Sequence, residues 1–244
     1  MLYDAISCLL RPLGWWARLR VEGLENLPAE GPTLLAPNHD SQMDPVLIGL
    51  AAKRRRNLRY LAGDDLWQIP LLAPILDGLR QIPVKRGSGD SKALDRTVDA
   101  LRAGDIVTVF PEGRLSWGRR LRARSGLGLL AGWVPEAVVV LCTIEGSTDF
   151  VRFPTRPRVT VRFFRPPSGG IRPGEAPAEF SARMLKELRD RVPVTPAGRK
   201  RIIGGPPRVR RSLERNKALN ELPPEPLPPP EPPPAPAAGS QAAE

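Results

Sequence analysis

The chain has 244 residues, with 37 Lys plus Arg against 26 Asp plus Glu, a formal charge of +11, one His, two Cys and 30 Pro. At about 150 residues per domain this length accommodates one domain with a sizeable core and appendages, and argues against two full domains. Cys8 and Cys142, both in apolar stretches, cannot build a disulfide framework and with a single His cannot supply a conventional zinc site, so neither a metal nor another cofactor is expected and a reducing, cytoplasmic setting fits best.

At the start, Leu2, Ile6, Leu9, Leu10, Leu13 and Trp16 recur at helical spacing, so residues 1–17 are expected to form an amphipathic helix whose turn Pro12 interrupts. Trp15 and Trp16 beside Arg18 and Arg20 suit a membrane interface, where indoles sit at headgroup level; a helix packed on its own domain is the alternative. No secretory n-region, h-region and cleavage site is present, so secretion is not expected. Residues 18–196 read as the folded domain. A strand is expected at Arg18 to Val21 and another at Thr33 to Ala36, leading into Pro37, Asn38 and His39. Asp44 before Pro45 signals a helix start, with a helix from Pro45 to about Lys53. Leu66 to Leu76 reads as short helical pieces broken by Pro70 and Pro74, and Ile82 to Val84 as a brief strand ahead of Arg86. Asp90 or Ser91 caps a helix through Leu101 that stops at Gly104. Strand Asp105 to Phe110, a helix near Gly126 to Ala131, strand Ala137 to Ile144, a further strand Val159 to Phe164 and a closing helix with Phe180, Met184, Leu188 and Val192 on one face complete the domain. The alternation is α/β, a single domain with a mostly parallel or mixed central sheet flanked by helices. The longest apolar runs fall well short of the roughly 20 residues that cross a bilayer, so no span is expected. Residues 197–221 form a basic segment, with eight Lys or Arg and one Glu between Arg199 and Lys217. Residues 222–244 form a Pro-rich tail, with ten prolines between Pro223 and Pro236, expected to be polyproline-like or disordered.

The residues that can carry chemistry fall at strand ends. His39, in Asn38-His39-Asp40-Ser41-Gln42-Met43-Asp44, precedes a carboxylate by five positions. An imidazole can take a proton from a hydroxyl at neutral pH, and an Asp can fix its tautomer and stabilise the imidazolium. The plainer alternative is that Asp44 only caps its helix and His39 only bonds a turn. Phe110-Pro111-Glu112-Gly113-Arg114-Leu115-Ser116 follows a strand directly, where α/β sheets bind ligands, so Glu112 is placed to meet a polar substrate or is simply a solvated turn residue. In Ile82-Pro83-Val84-Lys85-Arg86, Arg86 leaves another strand and can present its planar fork to a phosphate, or is only a surface charge. Ser116 stands one place too far along for a nucleophile elbow, and no P-loop or dinucleotide fingerprint occurs.

These segments together resemble the glycerolipid acyltransferase family, which includes the 1-acylglycerol-3-phosphate acyltransferases. Its first block, Asn-His-x-x-x-x-Asp, is met by Asn38, His39 and Asp44, with Ser41 at a commonly small position. Its second is met by Ile82, Pro83, Val84 and Arg86, with Arg80 where Gly is usual. Its third, Phe-Pro-Glu-Gly-Thr-Arg-Ser, is met by Phe110, Pro111, Glu112, Gly113 and Ser116, with Arg114 and Leu115 replacing Thr-Arg. The fourth resembles Val138 to Gly146, with Val140 where a proline is customary. The resemblance implies the fold of that family and the catalytic pair His39 and Asp44. His39 takes the proton of an acceptor hydroxyl, which attacks the thioester of acyl-CoA or acyl-carrier protein without an acyl-enzyme. Arg86 then holds the acceptor phosphate, and Glu112 with Gly113 positions its glycerol portion, Arg114 and Ser116 completing the binding set. Because Leu115 stands where the family has an arginine, either Arg114, Arg80 or Arg119 supplies that charge or the acceptor is not a lysophosphatidic acid.

The strong positive charge calls for a polyanionic partner. The basic run carries no interleaved aromatic, so an anionic membrane surface is expected rather than nucleic acid, with the chain peripheral on the cytoplasmic face of the cell membrane. The competing expectation is a non-catalytic, basic lipid- or nucleic-acid-binding protein on the same fold.

Overall fold

The computed structural model describes residues 2–85, 90–152, 154 and 156–195; Arg86, the basic segment 197–221 and the Pro-rich tail 222–244 lie outside the described residues. Helix α1 (Leu2–Trp16) leads into β1 (Arg20–Glu22), β2 (Thr33–Pro37), α2 (Asp44–Ala52), β3 (Leu58–Gly63), α3 (Ala73–Gly78) and β4 (Ile82–Val84). There follow α4 (Ser91–Arg102), β5 (Ile106–Thr108), α5 (Gly126–Trp133), β6 (Val138–Glu145), β7 (Thr160–Phe164) and α6 (Pro177–Arg191).

The seven strands make one mixed sheet in the order β1-β7-β6-β2-β5-β3-β4. β2 is central and pairs in parallel with β5 and β6, and β3 runs parallel to both β5 and β4. β7 lies antiparallel on β6 and carries β1 at the edge. The carboxyl ends of β2, β5 and β6 therefore open on the same side, and the loops after β2 and β5 meet there.

Side chains alternate across the strands, as a period of two requires, and each face is covered by helices. Leu34, Ala36, Val107, Val139 and Leu141 pack against Leu101, Leu127, Leu130, Phe180, Met184 and Leu188 of α4, α5 and α6. Leu35, Ile106, Val140, Cys142 and Ile144 pack on the other face against Ala17 and the α2 residues Leu47, Ile48 and Ala51. α5 and α6 approach so closely at Gly128 that a Cβ there would lie 2.0 Å from the Pro177 carbonyl oxygen. At this contact the Gly128 N–H donates to Ser181 Oγ, whose hydroxyl donates to the same carbonyl.

The predicted α/β architecture stands, as does the Asp90 cap, which accepts from the Ala93 N–H. Gly104 ends α4 with φ +85. Four local expectations change. α1 continues through Pro12, which lies on its exposed side. Cys8 is exposed rather than sheltered. The strand expected from Asp105 to Phe110 is regular only over Ile106–Thr108, because the chain turns away to build the site. β3 was not foreseen: the charged run ahead of it and Arg59 within it hide a strand pattern, yet Arg59 reaches the strand margin to pair with Asp105 at 2.8 Å. Among the described residues no helix is long and apolar enough to cross a membrane.

Candidate active site

Asn38 is fully buried where β2 ends, and its amide extends the pairing with β6 beyond the last strand residue. Its Oδ1 accepts the Ile144 N–H at 2.8 Å and its Nδ2 donates to the Ile144 carbonyl at 3.0 Å. The backbone so pinned delivers His39 to the carboxyl edge of the sheet. His39 Nδ1 lies 3.0 Å from Asp44 Oδ2. The same oxygen accepts the N–H groups of Asp40 and Ser41, each at 2.8 Å. Asp44 opens α2, but its carboxylate faces back into the loop instead of capping the first turn of its helix. Of the two sequence readings of this residue, the capping one is therefore the one its geometry corrects. Its other oxygen, Oδ1, is buried with no hydrogen-bond partner among the described residues.

One face of the imidazole is covered. It stacks on Phe110 with centroids 3.9 Å apart and planes 23° apart, and Tyr60 stacks behind Phe110 at 6.3 Å. With the Nδ1 proton donated to Asp44, the tautomer assigned by that contact leaves the lone pair on Nε2, the nitrogen that can accept a proton. The side chain is 14% exposed, enough to meet a substrate from one direction.

The second loop supplies Phe110 and then turns sharply. Gly113 has φ +70 and its N–H donates to the Phe110 carbonyl at 3.0 Å; a Cβ at this position would meet Arg124 Cγ at 2.9 Å. Glu112 and Ser116, expected from the sequence at the substrate, are instead packed inward, 2% and 1% exposed. The Ser116 N–H donates to the His39 carbonyl at 2.9 Å and its hydroxyl donates to Asp40 Oδ1. Glu112 Oε1 accepts from Arg189 Nη2. That guanidinium also forks onto Asp40, Nη1 to Oδ2 at 2.8 Å and Nη2 to Oδ1 at 2.9 Å. Burial pushes the Glu112 carboxyl above its usual value, and Arg189 opposes this. For Arg189 burial works against the charge, but Glu112 and Asp40 more than offset it and raise its pKa further. Sequence reading missed Arg189 and Asp40. A signal was present: Arg189 follows Leu185 and Leu188 on the inward face of α6, where an unpaired cation is costly.

Arg114 and Arg119 border, with Leu115, Ser116 and Trp117, a pocket of about 170 Å³ beside the His39 loop. Arg80, the third candidate for the missing charge, lies elsewhere. Its guanidinium is 3.7 Å from Asp105, whose carbonyl accepts the N–H of Thr33 at the opposite end of β2, roughly 13 Å of strand away. Arg86 lies outside the described residues. Among those residues no group of three or more His, Cys, Asp or Glu could hold a metal ion.

Comparison with known proteins gives a consistent picture. A family model described as Acyltransferase matches residues 18–140, just over half of the chain. A chloroplastic 1-acyl-sn-glycerol-3-phosphate acyltransferase of Arabidopsis thaliana is 29% identical over 135 residues, covering 53% of this chain and 36% of that one. A lyso-ornithine lipid O-acyltransferase of Pseudomonas aeruginosa is 30% identical over 149 residues, covering 55% of each. The crystal structure of the 1-acyl-sn-glycerophosphate acyltransferase PlsC from Thermotoga maritima superposes with a TM-score of 0.59 at 21% identity, covering 78% of this chain and 79% of that one, and shares its fold. The chain spans about half the length of the curated relatives it matches, uncharacterized mycobacterial proteins among them.

Proposed function

The chain belongs to the acyltransferase family, and from that premise we propose that it transfers a fatty acyl group from acyl-CoA or acyl-carrier protein to the free hydroxyl of a lysophospholipid, 1-acylglycerol-3-phosphate giving phosphatidic acid. The observation that carries this reading is the His39–Asp44 contact at 3.0 Å, with Asp44 turned from its helix toward the imidazole. His39 Nε2 takes the hydroxyl proton as the oxygen attacks the thioester carbonyl. The imidazolium that forms is stabilised by Asp44, and the tetrahedral intermediate collapses by breaking the C–S bond. The proton passes from His39 to the departing sulfur, so the products are an ester and a free thiol, and the enzyme is unchanged. Phosphate binding falls to Arg114 and Arg119 at the neighbouring pocket and to Arg86.

A second acceptor class has its own support. Leu115 fills the position of the family's phosphate-meeting arginine, and the Pseudomonas relative is named for a lyso-ornithine lipid. Peripheral binding to the cytoplasmic leaflet fits the outer side of α1. Leu9 is 78% and Trp15 74% exposed, with Ala5, Cys8 and Pro12 also outward, while Ser7 and Gly14 face the domain.

The test is incubation of purified protein with long-chain acyl-CoA, or acyl-carrier protein as donor, and a panel of lysolipids with and without phosphate, products read by mass spectrometry beside His39→Ala. His39-dependent acylation of lysophosphatidic acid is expected, with a raised KM for that acceptor in Arg114→Ala and Arg119→Ala. Product only from a phosphate-free acceptor moves the activity to the second class. No His39-dependent product with any pair leaves a lipid- or nucleic-acid-binding protein.

A further inference from the structure

Building on the acyl-transfer reading, we propose that Arg189 is a positioning residue: from α6, outside the region matched by the family model, it binds the His39 loop and the Glu112 turn into one unit and so fixes the imidazole. The imidazole has two neighbours that set its place, Asp44 at its Nδ1 and Phe110 on its face. Both hang on carboxylates that Arg189 holds. On one side, the Asp40 N–H donates to the Asp44 oxygen that meets His39, and the Asp40 carboxylate takes both arms of the guanidinium. On the other side, Glu112 accepts from Arg189 two residues beyond Phe110. Ser116, whose N–H bonds the His39 carbonyl and whose hydroxyl bonds Asp40, closes the ring between the two loops.

Arg189 is itself 9% exposed, so the cation lies behind the two loops and acts through Asp40 and Glu112. Its two directions of hydrogen bonding exploit the planar fork of a guanidinium, which an ammonium cannot reproduce. Loss of the clamp frees the carboxylates to repel one another, and the His39 ring loses its fixed relation to Asp44. A misplacement of about 1 Å at a reacting group lowers turnover by about 10²-fold without a matching change in substrate binding.

His39 is the single histidine of the chain, which makes its placement readable without turnover. The experiment labels the imidazole nitrogens and records their NMR shifts and titration in the full chain, in Arg189→Lys, in Arg189→Met and in the neutralised triple variant Asp40→Asn, Glu112→Gln, Arg189→Met. Turnover is normalised to folded protein. The parent chain is expected to show one Nδ1–H tautomer. Arg189→Met and the triple variant are expected to show the two nitrogen shifts drawn together by tautomer exchange, with kcat lowered about 10²-fold and KM within about threefold. Arg189→Lys, retaining the charge but not the fork, is expected to recover part of the rate. The triple variant keeps the test decisive if Arg189→Met fails to fold, because it leaves no unpaired buried charge among these three positions. A His39 spectrum unchanged in the variants overturns the proposal whatever the rate, as does a triple variant with parental kcat. If the parent transfers no acyl group, the acyl-transfer reading fails by itself, and the spectra still decide whether Arg189 fixes His39.

Discussion

Asp44→Asn separates an orienting carboxylate from a helix cap. The side chain is fully buried, and one oxygen takes all three of its contacts, from His39 Nδ1 at 3.0 Å and from the N–H groups of Asp40 and Ser41 at 2.8 Å. An asparagine has two ways to sit there, both poor. With its oxygen at the shared position, the NH₂ group occupies the site of Oδ1, which is buried without a partner among the described residues, and unpaired buried donors cost about 1–3 kcal/mol. With its NH₂ at the shared position, it confronts two N–H groups and forces His39 into the wrong tautomer. In either case the charge opposite the imidazolium is gone. At an effective dielectric constant of about 20, unit charges about 3 Å apart attract by about 5 kcal/mol, an upper figure because both ions spread their charge over two atoms. At about 1.4 kcal/mol per tenfold in rate, retention of half to most of this attraction sets the loss in kcat at about 10²- to 10⁴-fold. Initial rates with acyl-CoA and the best acceptor, over the solubility range of each, give kcat and KM; circular dichroism and thermal melting report folding. KM is expected to stay within about threefold. A folded Asp44→Asn enzyme with kcat within threefold of the parent refutes the orienting role and leaves Asp44 a structural residue.

Gly128→Ala drives a Cβ to within 2.0 Å of the Pro177 carbonyl oxygen and should lower stability by about 1–3 kcal/mol in denaturant unfolding. Gly132→Ala on the same helix meets only Ile171 Cδ1 at 3.7 Å and should be neutral or stabilising; equal destabilisation would refute the close-approach argument. On the outer side of α1, Leu9→Glu should weaken flotation with anionic vesicles by about tenfold or more while leaving the melting temperature unchanged, since a buried Leu side chain contributes about 1.5–3 kcal/mol. Unaltered flotation would assign that face to something other than lipid.

The fold was legible where a segment is periodic and its ends are punctuated. α4 shows both, with Asp90 at its start and Gly104 past its end, and both sit as the sequence predicts. β3 was illegible because its inward residues are interrupted by Arg59 and Tyr60, whose polar tips reach the strand margin and the Pro45 carbonyl; only the folded sheet reveals that their stems are compatible with a strand. At the site, His39 and Asp44 were legible because they stand five positions apart and one loop suffices to bring them together. The Asp40–Arg189 pair was not, since 149 positions separate the partners and no local pattern encodes such a meeting. Glu112 misled for the same reason: a glutamate after a strand reads as exposed until the cation that buries it is known.

The edge of the sheet also bears on how the molecule is made. Among the described residues β1 has no neighbour in the sheet except β7, aligned Arg20 to Thr160 and Glu22 to Arg162. The backbone around Ala17 and Arg20 closes on Val159, and Arg156 holds the last carbonyls of α1. During synthesis β1 must therefore wait for about 140 further residues before β7 is available to pair with it. Contacts between such distant positions close slowly, and an unpaired strand with an amphipathic helix attached is exposed to aggregation in the interval. β1 and β7 thus form one joint, and any fragment that stops before Val159 leaves α1 and β1 unattached on that side.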